Sequence, residues 1–295
     1  KLPEPLECPK LPEPQECPEV STPVVVSQEA CRDVFRTAGQ GGLGELEDLS
    51  WCKHPQSFDV CDNLREFTGL SETELDTRIR RKGRFHFEGE HAFWNPQSRT
   101  ELAWYYSTSV DYMFANSAHP AISFLDQIKE SDGPVLDYSG GIGNNVIYLS
   151  SKGISTQYFG IGLMEYAFAE FRIKKRGLDQ FVEFKRPYSE ATNWTFDPKT
   201  APLPRDGSLG AILAVDVLEH IPDYQVVVER MVDSIRVGGF IYEVSPFSET
   251  VDDGNDEDLR VHVSNGGVSM KDAMGPKMER DEFSGMGGLW RKISE

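Results

Sequence analysis

Pro134-Val135-Leu136-Asp137-Tyr138-Ser139-Gly140-Gly141-Ile142-Gly143-Asn144-Asn145-Val146-Ile147 reads as a buried strand, a glycine-rich turn and the start of a helix. Branched apolar residues suit a strand covered on both faces, and clustered glycines let backbone approach a ligand closely. A helix N-terminus adds unpaired N–H groups and partial positive charge, so polar or acidic ligand groups settle there. A turn of this kind alone is a weak sign. Its weight comes from the strands and helices that follow it.

From residue 120 onward the pattern alternates strand and helix, which predicts a parallel sheet with crossover helices. Strands are expected at 134–138, 156–161, 181–185, 209–215, 239–244 and 286–292, the last as an edge strand closing the sheet. Helices are expected at about 120–130, 143–152, 164–176, 188–194 and 223–236. Gly153, Gly177 and the pair Gly238-Gly239 stand where helix C-caps belong. Upstream, Ser71-Glu72-Thr73-Glu74 has the form of a capping box. An aromatic-rich helix is expected from Thr100 through Trp104, Tyr105, Tyr112 and Phe114, packing on the main domain or walling a substrate.

The first residues differ in character. Leu2-Pro3-Glu4-Pro5-Leu6-Glu7-Cys8-Pro9 recurs as Leu11-Pro12-Glu13-Pro14-Gln15-Glu16-Cys17-Pro18. Proline at this density favours extended polyproline II, as a stiff tail or an arm laid along a protein partner. The expected organisation is therefore an extended arm at 1–27, a helical cap lobe at 28–118 and a doubly wound α/β domain at 119–295.

Composition narrows the function classes. A chain of 295 residues with net charge −18 is poorly suited to wrapping a phosphate backbone, which argues against nucleic acid as partner. The basic run Arg78, Arg80, Arg81, Lys82 and Arg84 reads as a solvated helix end. No apolar run approaches the roughly 20 residues of a membrane span, so the chain reads as soluble or peripheral. Cys8, Cys17, Cys31, Cys52 and Cys61 form no C-x-x-C pair and read as reduced thiols, with no metal site expected. The chain opens at Lys1 without a signal-peptide core, which leaves a removed targeting segment and an organellar address open.

In a doubly wound sheet, ligands bind beyond the carboxyl ends of the strands at the switch point. Four segments converge there: the turn at 137–143, Phe159-Gly160-Ile161-Gly162, Pro187-Tyr188-Ser189, and Asp216-Val217-Leu218-Glu219-His220-Ile221-Pro222. Here the chain resembles the class I S-adenosylmethionine-dependent methyltransferases. Their first motif, an apolar strand into D-x-G-x-G-x-G, is matched by Asp137 to Gly143 with Ser139 at the first glycine. Their fourth-strand segment D-V-L-E-H-I-P stands complete at 216–222, and Arg236-Val237-Gly238-Gly239 matches the approach to strand five. A nucleotide-dependent dehydrogenase would want G-x-G-x-x-G, but counting from Gly141 the third glycine position holds Val146.

The resemblance implies a Rossmann-like methyltransferase fold and S-adenosylmethionine as cofactor. It implies that Gly141 and Gly143 approach the methionine portion, with Asp137 orienting the loop or the cofactor's amino group. Asp216 and Val217 would lie beside the amino-acid end. Glu219 and His220 would face the substrate, His220 as a base or as an anchor of its loop.

One departure matters. The family ends strand two in an acid that holds the ribose hydroxyls, and here Gly160, or Gly162 in the other register, stands in its place. A charged hydrogen bond contributes roughly 1.5–3 kcal/mol, so its loss weakens binding about tenfold to over a hundredfold. Glu165, in the first turn of the next helix, could compensate but reads as a solvated helix-start carboxylate. The acidic stretch Asp252-Asp253-Gly254-Asn255-Asp256-Glu257-Asp258 reads as solvated loop, and His262 beyond it has no evident partner. Two functions follow: methyl transfer to a small-molecule or protein acceptor, or a silent methyltransferase-like subunit of a larger assembly, for which an organellar address stays open.

Overall fold

The computed structural model describes residues 60–71, 73–74, 123–160, 162–186, 203–221, 224–245, 268–281 and 287–295. The proline-rich arm, the basic run, the aromatic helix near Trp104, the helix at 188–194, the acidic stretch and His262 lie outside these residues, as does most of the 28–118 lobe.

Seven strands form one sheet: β1 (Val135–Tyr138), β2 (Thr156–Phe159), β3 (Val182–Lys185), β4 (Leu209–Val215), β5 (Ile235–Val244), β6 (Met278–Asp281) and β7 (Gly288–Lys292). Their order is β3-β2-β1-β4-β5-β7-β6. β1 to β5 run parallel, and β7 is antiparallel to both β5 and β6. The doubly wound, mostly parallel architecture expected from the sequence is what forms, with a seventh strand, β6, added to the six read along the chain. Inserting an antiparallel β7 between β5 and β6 departs from the 3-2-1-4-5-6 order of dinucleotide-binding sheets.

The central strands are apolar on both faces because helices cover both. Every residue of β1 is buried, and β4 is buried from Leu209 to Ala214. Side chains alternate between two cores. Leu136, Tyr138, Ile212 and Ala214 join α4 (Tyr224–Ser234) through Val227, Val228, Met231 and Val232. That i, i+1, i+4, i+5 spacing places one apolar stripe on the sheet, each buried side chain contributing roughly 1.5–3 kcal/mol. On the other face Val135, Ala211 and Leu213 pack with Leu149. Beside them Tyr158 and Val182 pack with Val146 and Ile147 of α2 (Asn144–Ser151) and Ala169 and Ile173 of α3 (Leu163–Lys175).

Gly153 and Gly177 follow α2 and α3 in the left-handed conformation, as expected of residues just past helix ends. Ser71 and Glu74 form the expected capping box: the Glu74 carboxylate accepts from Ser71 N at 2.8 Å, and Glu74 N donates to Ser71 Oγ at 3.3 Å. From the upstream lobe, α1 (Val60–Thr68) rests on α3, Phe67 meeting Phe168 and Phe171 at ring-centroid distances of 5.2 and 5.4 Å.

Several expectations are corrected. Gly238-Gly239 does not cap a helix: α4 ends at Ser234 and β5 begins at Ile235, so the pair lies inside a strand whose register shifts against β4. β7 is not an edge strand, since β6 pairs on its far side. In place of a helix over 120–130 there are two short 3₁₀ turns, Ser123–Gln127 and Glu130–Asp132. β2 ends at Phe159 rather than 161. A short helix, α5 (Met270–Met274), with Ser269 Oγ accepting from Asp272 N, precedes β6 and was not expected.

Candidate cofactor cleft

β1 lies between β2 and β4, so the chain leaves its carboxyl end toward one neighbour and later returns on the other side. That is the switch point, and the glycine turn fills its mouth. Ser139, Gly141 and Gly143 have φ of 65°, 51° and 79°, all left-handed. The three glycine positions of the motif are thus the three that need this conformation, and Ser139 adopts it at a cost of roughly 1–2 kcal/mol. Gly143 also admits close helix packing, since a Cβ there would lie 3.2 Å from that of Ala169.

The turn is held from both sides. Gly140 N donates to Phe159 O at 3.0 Å, and Tyr158 Oη donates to Gly141 O at 2.5 Å, tying the turn to β2. From α3 the fully buried Arg172 donates to Ile142 O at 2.7 Å and to Asn144 Oδ1 at 2.8 Å.

Asp137 sits beneath this turn. It is 3% exposed, and a Cβ on Gly140 would lie 2.5 Å from its Oδ2. Its Oδ1 accepts a long 3.5 Å bond from Asn145 Nδ2, while Oδ2 has no hydrogen-bond partner among the described residues. Burial pushes this carboxyl up to about 7.

Beyond the neighbouring strand β4, the following segment supplies the second group. Asp216 is exposed and left-handed at φ 53°, with its N–H bonded to Val244 O at 2.9 Å. Val217 is buried, and the 3₁₀ turn Leu218–His220 carries Glu219 and ends on His220. Glu219 is fully buried, and burial pushes its carboxyl up to about 8, with Asp216 adding to the rise. Glu243, at the end of β5, is a third buried carboxyl; it accepts from Trp290 Nε1 at 3.3 Å, and burial raises it too. No cluster of His, Cys, Asp or Glu suited to a metal ion occurs among the described residues, nor any helix long and apolar enough to cross a membrane.

Asp137, Ser139, Gly141 and Gly143 thus share one turn, and Asp216, Val217, Glu219 and His220 share the loop at the end of the adjacent strand. Gly160 is buried behind them, one residue past β2. Its backbone is not left-handed, so an L side chain is conformationally allowed there. The space is not free: a Cβ would overlap the Tyr158 hydroxyl oxygen and lie 2.9 Å from Tyr158 Cζ. Glu165, expected to be solvated, is 4% exposed, because α3 turns its first carboxylate inward toward Tyr158. Tyr158, Arg172 and Glu243 were not singled out from the sequence. Tyr158 had one available sign, its place two residues before Gly160 on the same strand face.

These residues fit the methionine end of S-adenosylmethionine. A buried carboxyl oxygen lacking a partner among the described residues lies beneath the glycine turn, and an exposed aspartate follows the adjacent strand β4. The ribose end has no carboxylate from β2.

No protein-family profile matches the chain, and no curated protein sequence matches it. Solved structures with a similar arrangement include phosphoethanolamine N-methyltransferase 2 of Haemonchus contortus, at 14% identity over 65% of this chain and 46% of that one, TM-score 0.43. Others are geranyl diphosphate methyltransferase, at 13% identity over 52% of each chain, TM-score 0.34, and the [4+2]-cyclase SpnF, at 19% over 41% and 42%, TM-score 0.34. The chain spans less than two thirds of the length of these three proteins. By its own sheet order, glycine turn and fourth-strand segment, the chain has the Rossmann-like fold of the class I S-adenosylmethionine-dependent methyltransferases.

Proposed function

We propose that this chain binds S-adenosylmethionine in the cleft between β1 and β4 and serves methyl transfer to a small-molecule or protein acceptor. The observation that carries this reading is the Asp137 carboxyl: buried, with one oxygen lacking a partner among the described residues, beneath three left-handed turn residues at the switch point. When bound, the cofactor supplies a sulfonium methyl that an acceptor O, N, S or C nucleophile can displace.

The chain's own groups do the rest. Gly141 and Gly143 present backbone to the amino-acid end, and Asp137 answers its ammonium. Asp216 and Val217 border the same end from β4. Burial holds a proton on Glu219 near neutrality, while His220, at the end of the same turn, is the residue whose ordinary pKa suits a base. Positioning of donor and acceptor in line supplies the main acceleration. The net charge of −18 favours a small-molecule or protein acceptor over nucleic acid, and the repeat in the 1–27 arm suits a protein partner.

A second reading, a silent methyltransferase-like subunit of a larger assembly, is favoured by one observation: Tyr158 fills the space above Gly160. Thermal melting with 1 mM S-adenosylhomocysteine, on the order of a weak ligand's Kd, tests the first reading. The melting temperature should rise in the wild type and stay unmoved in Asp216→Ala; no rise in the wild type counts against cofactor binding. A rise without transfer of labelled methyl to any acceptor supports the silent subunit.

A further inference from the structure

We infer that Tyr158 is the residue that sets how well this cleft accepts a ribose: its ring and hydroxyl stand where the acid of strand two would project. The inference rests on the proposed cofactor site and goes beyond it by naming the group that limits affinity and the change that restores it.

Three observations carry it. The backbone at Gly160 lies outside the left-handed region, so no conformational demand excludes a side chain there. What excludes one is Tyr158, whose hydroxyl oxygen overlaps a Cβ at this position and whose Cζ and Cε1 lie 2.9 and 3.2 Å from it. That ring cannot easily swing away. It is fully buried, packs at 5.3 Å from Tyr166 and 6.2 Å from Phe184, and its hydroxyl donates to Gly141 O at 2.5 Å. A buried phenol spends its one proton on the glycine turn and offers no carboxylate to a diol. The tyrosine therefore does two things at once: it locks the turn to β2, and it closes the corner where a ribose would be held. Glycine at 160 is then a consequence of Tyr158, since any larger residue would collide with it.

This makes the two positions energetically coupled, which separates the inference from a simple missing acid. Gly160→Asp alone should not improve binding and should lower the melting temperature, because the new side chain collides with the tyrosine. Tyr158→Val clears the space, so Tyr158→Val/Gly160→Asp should bind S-adenosylhomocysteine at least tenfold tighter than Tyr158→Val alone, the gain of one charged hydrogen bond.

The experiment is calorimetric titration of S-adenosylhomocysteine into the wild type, both single variants and the double variant, with circular dichroism to establish folding. A gain confined to the double variant supports the inference. Equal gains in Gly160→Asp alone and in the double variant overturn it, since Tyr158 then obstructs nothing. Binding to none of the four folded chains overturns the cofactor site itself. Should Tyr158→Val not fold, Tyr158→Phe/Gly160→Asp replaces it with a stability readout. Removing the hydroxyl should recover part of the melting temperature lost in Gly160→Asp, and no recovery would overturn the inference.

Discussion

Replacing Asp137 by asparagine should stabilise the protein, and the gain should grow with pH. Burial raises the Asp137 carboxyl from its ordinary 3.8 to about 7, against a weaker opposing bond from Asn145. The folded chain therefore holds this proton to higher pH than the unfolded chain does. The native state's advantage is fully present below about 4 and is lost as pH rises through about 7. About three pKa units correspond to on the order of 4 kcal/mol in full, of which roughly 2–3 kcal/mol develops between pH 5 and pH 8. Asparagine keeps the shape and cannot ionise, so Asp137→Asn avoids that loss. Urea unfolding of both chains at pH 5 and pH 8 reads the difference directly. A wild-type-to-variant gap that does not change with pH would show that the fold does not hold Asp137 in its neutral form. So would a variant that loses stability relative to wild type as pH rises, since the ionised carboxylate would then be the favoured form in the fold.

The same physical features give further tests. Ser139→Gly relieves a left-handed serine and should leave stability unchanged or raise it by up to about 1 kcal/mol, while Ser139→Val should lower it by more; thermal melts of both decide. Arg172→Lys cannot reproduce the paired bonds to Ile142 O and Asn144 Oδ1 and should cost about 1.5–3 kcal/mol in denaturant unfolding, whereas an unchanged midpoint would show that the turn does not depend on them. Glu219→Gln removes a carboxyl raised by burial to about 8, so wild-type stability from the protonated form is lost as pH rises through 8. The variant should gain on wild type between pH 6 and pH 9 in thermal melts, and parallel curves would argue against a neutral Glu219.

Much of the fold was legible because its central strands are buried on both faces. Apolar runs such as Leu209–Val215 announce such strands, and the glycines after α2 and α3 mark real helix ends. The peripheral strand β6 was not legible: Met278-Glu279-Arg280-Asp281 carries three charges on a sheet edge, where half-exposed residues follow no apolar alternation. Gly238-Gly239 misled because a glycine pair after a helix looks the same whether it caps the helix or bends the strand that follows. At the site, the glycine turn and the 216–222 segment were visible as motifs. The filling of the space beside Gly160 was not, because it depends on a tertiary contact between Tyr158 and the backbone of Gly141 and Gly160. Burial of Glu165 and Arg172 likewise follows from how α3 lies against the turn, which helical spacing alone leaves open.

The proposed site beneath the glycine turn holds S-adenosylmethionine by its amino-acid end against Asp137. Calorimetric titration of S-adenosylhomocysteine into the wild-type chain and into Asp137→Ala tests it most directly. Saturable binding to the wild type with Kd below about 1 mM, lost in a folded Asp137→Ala chain, is the expected result. Absence of binding to the wild type at millimolar ligand, or equal binding to both chains, would contradict it.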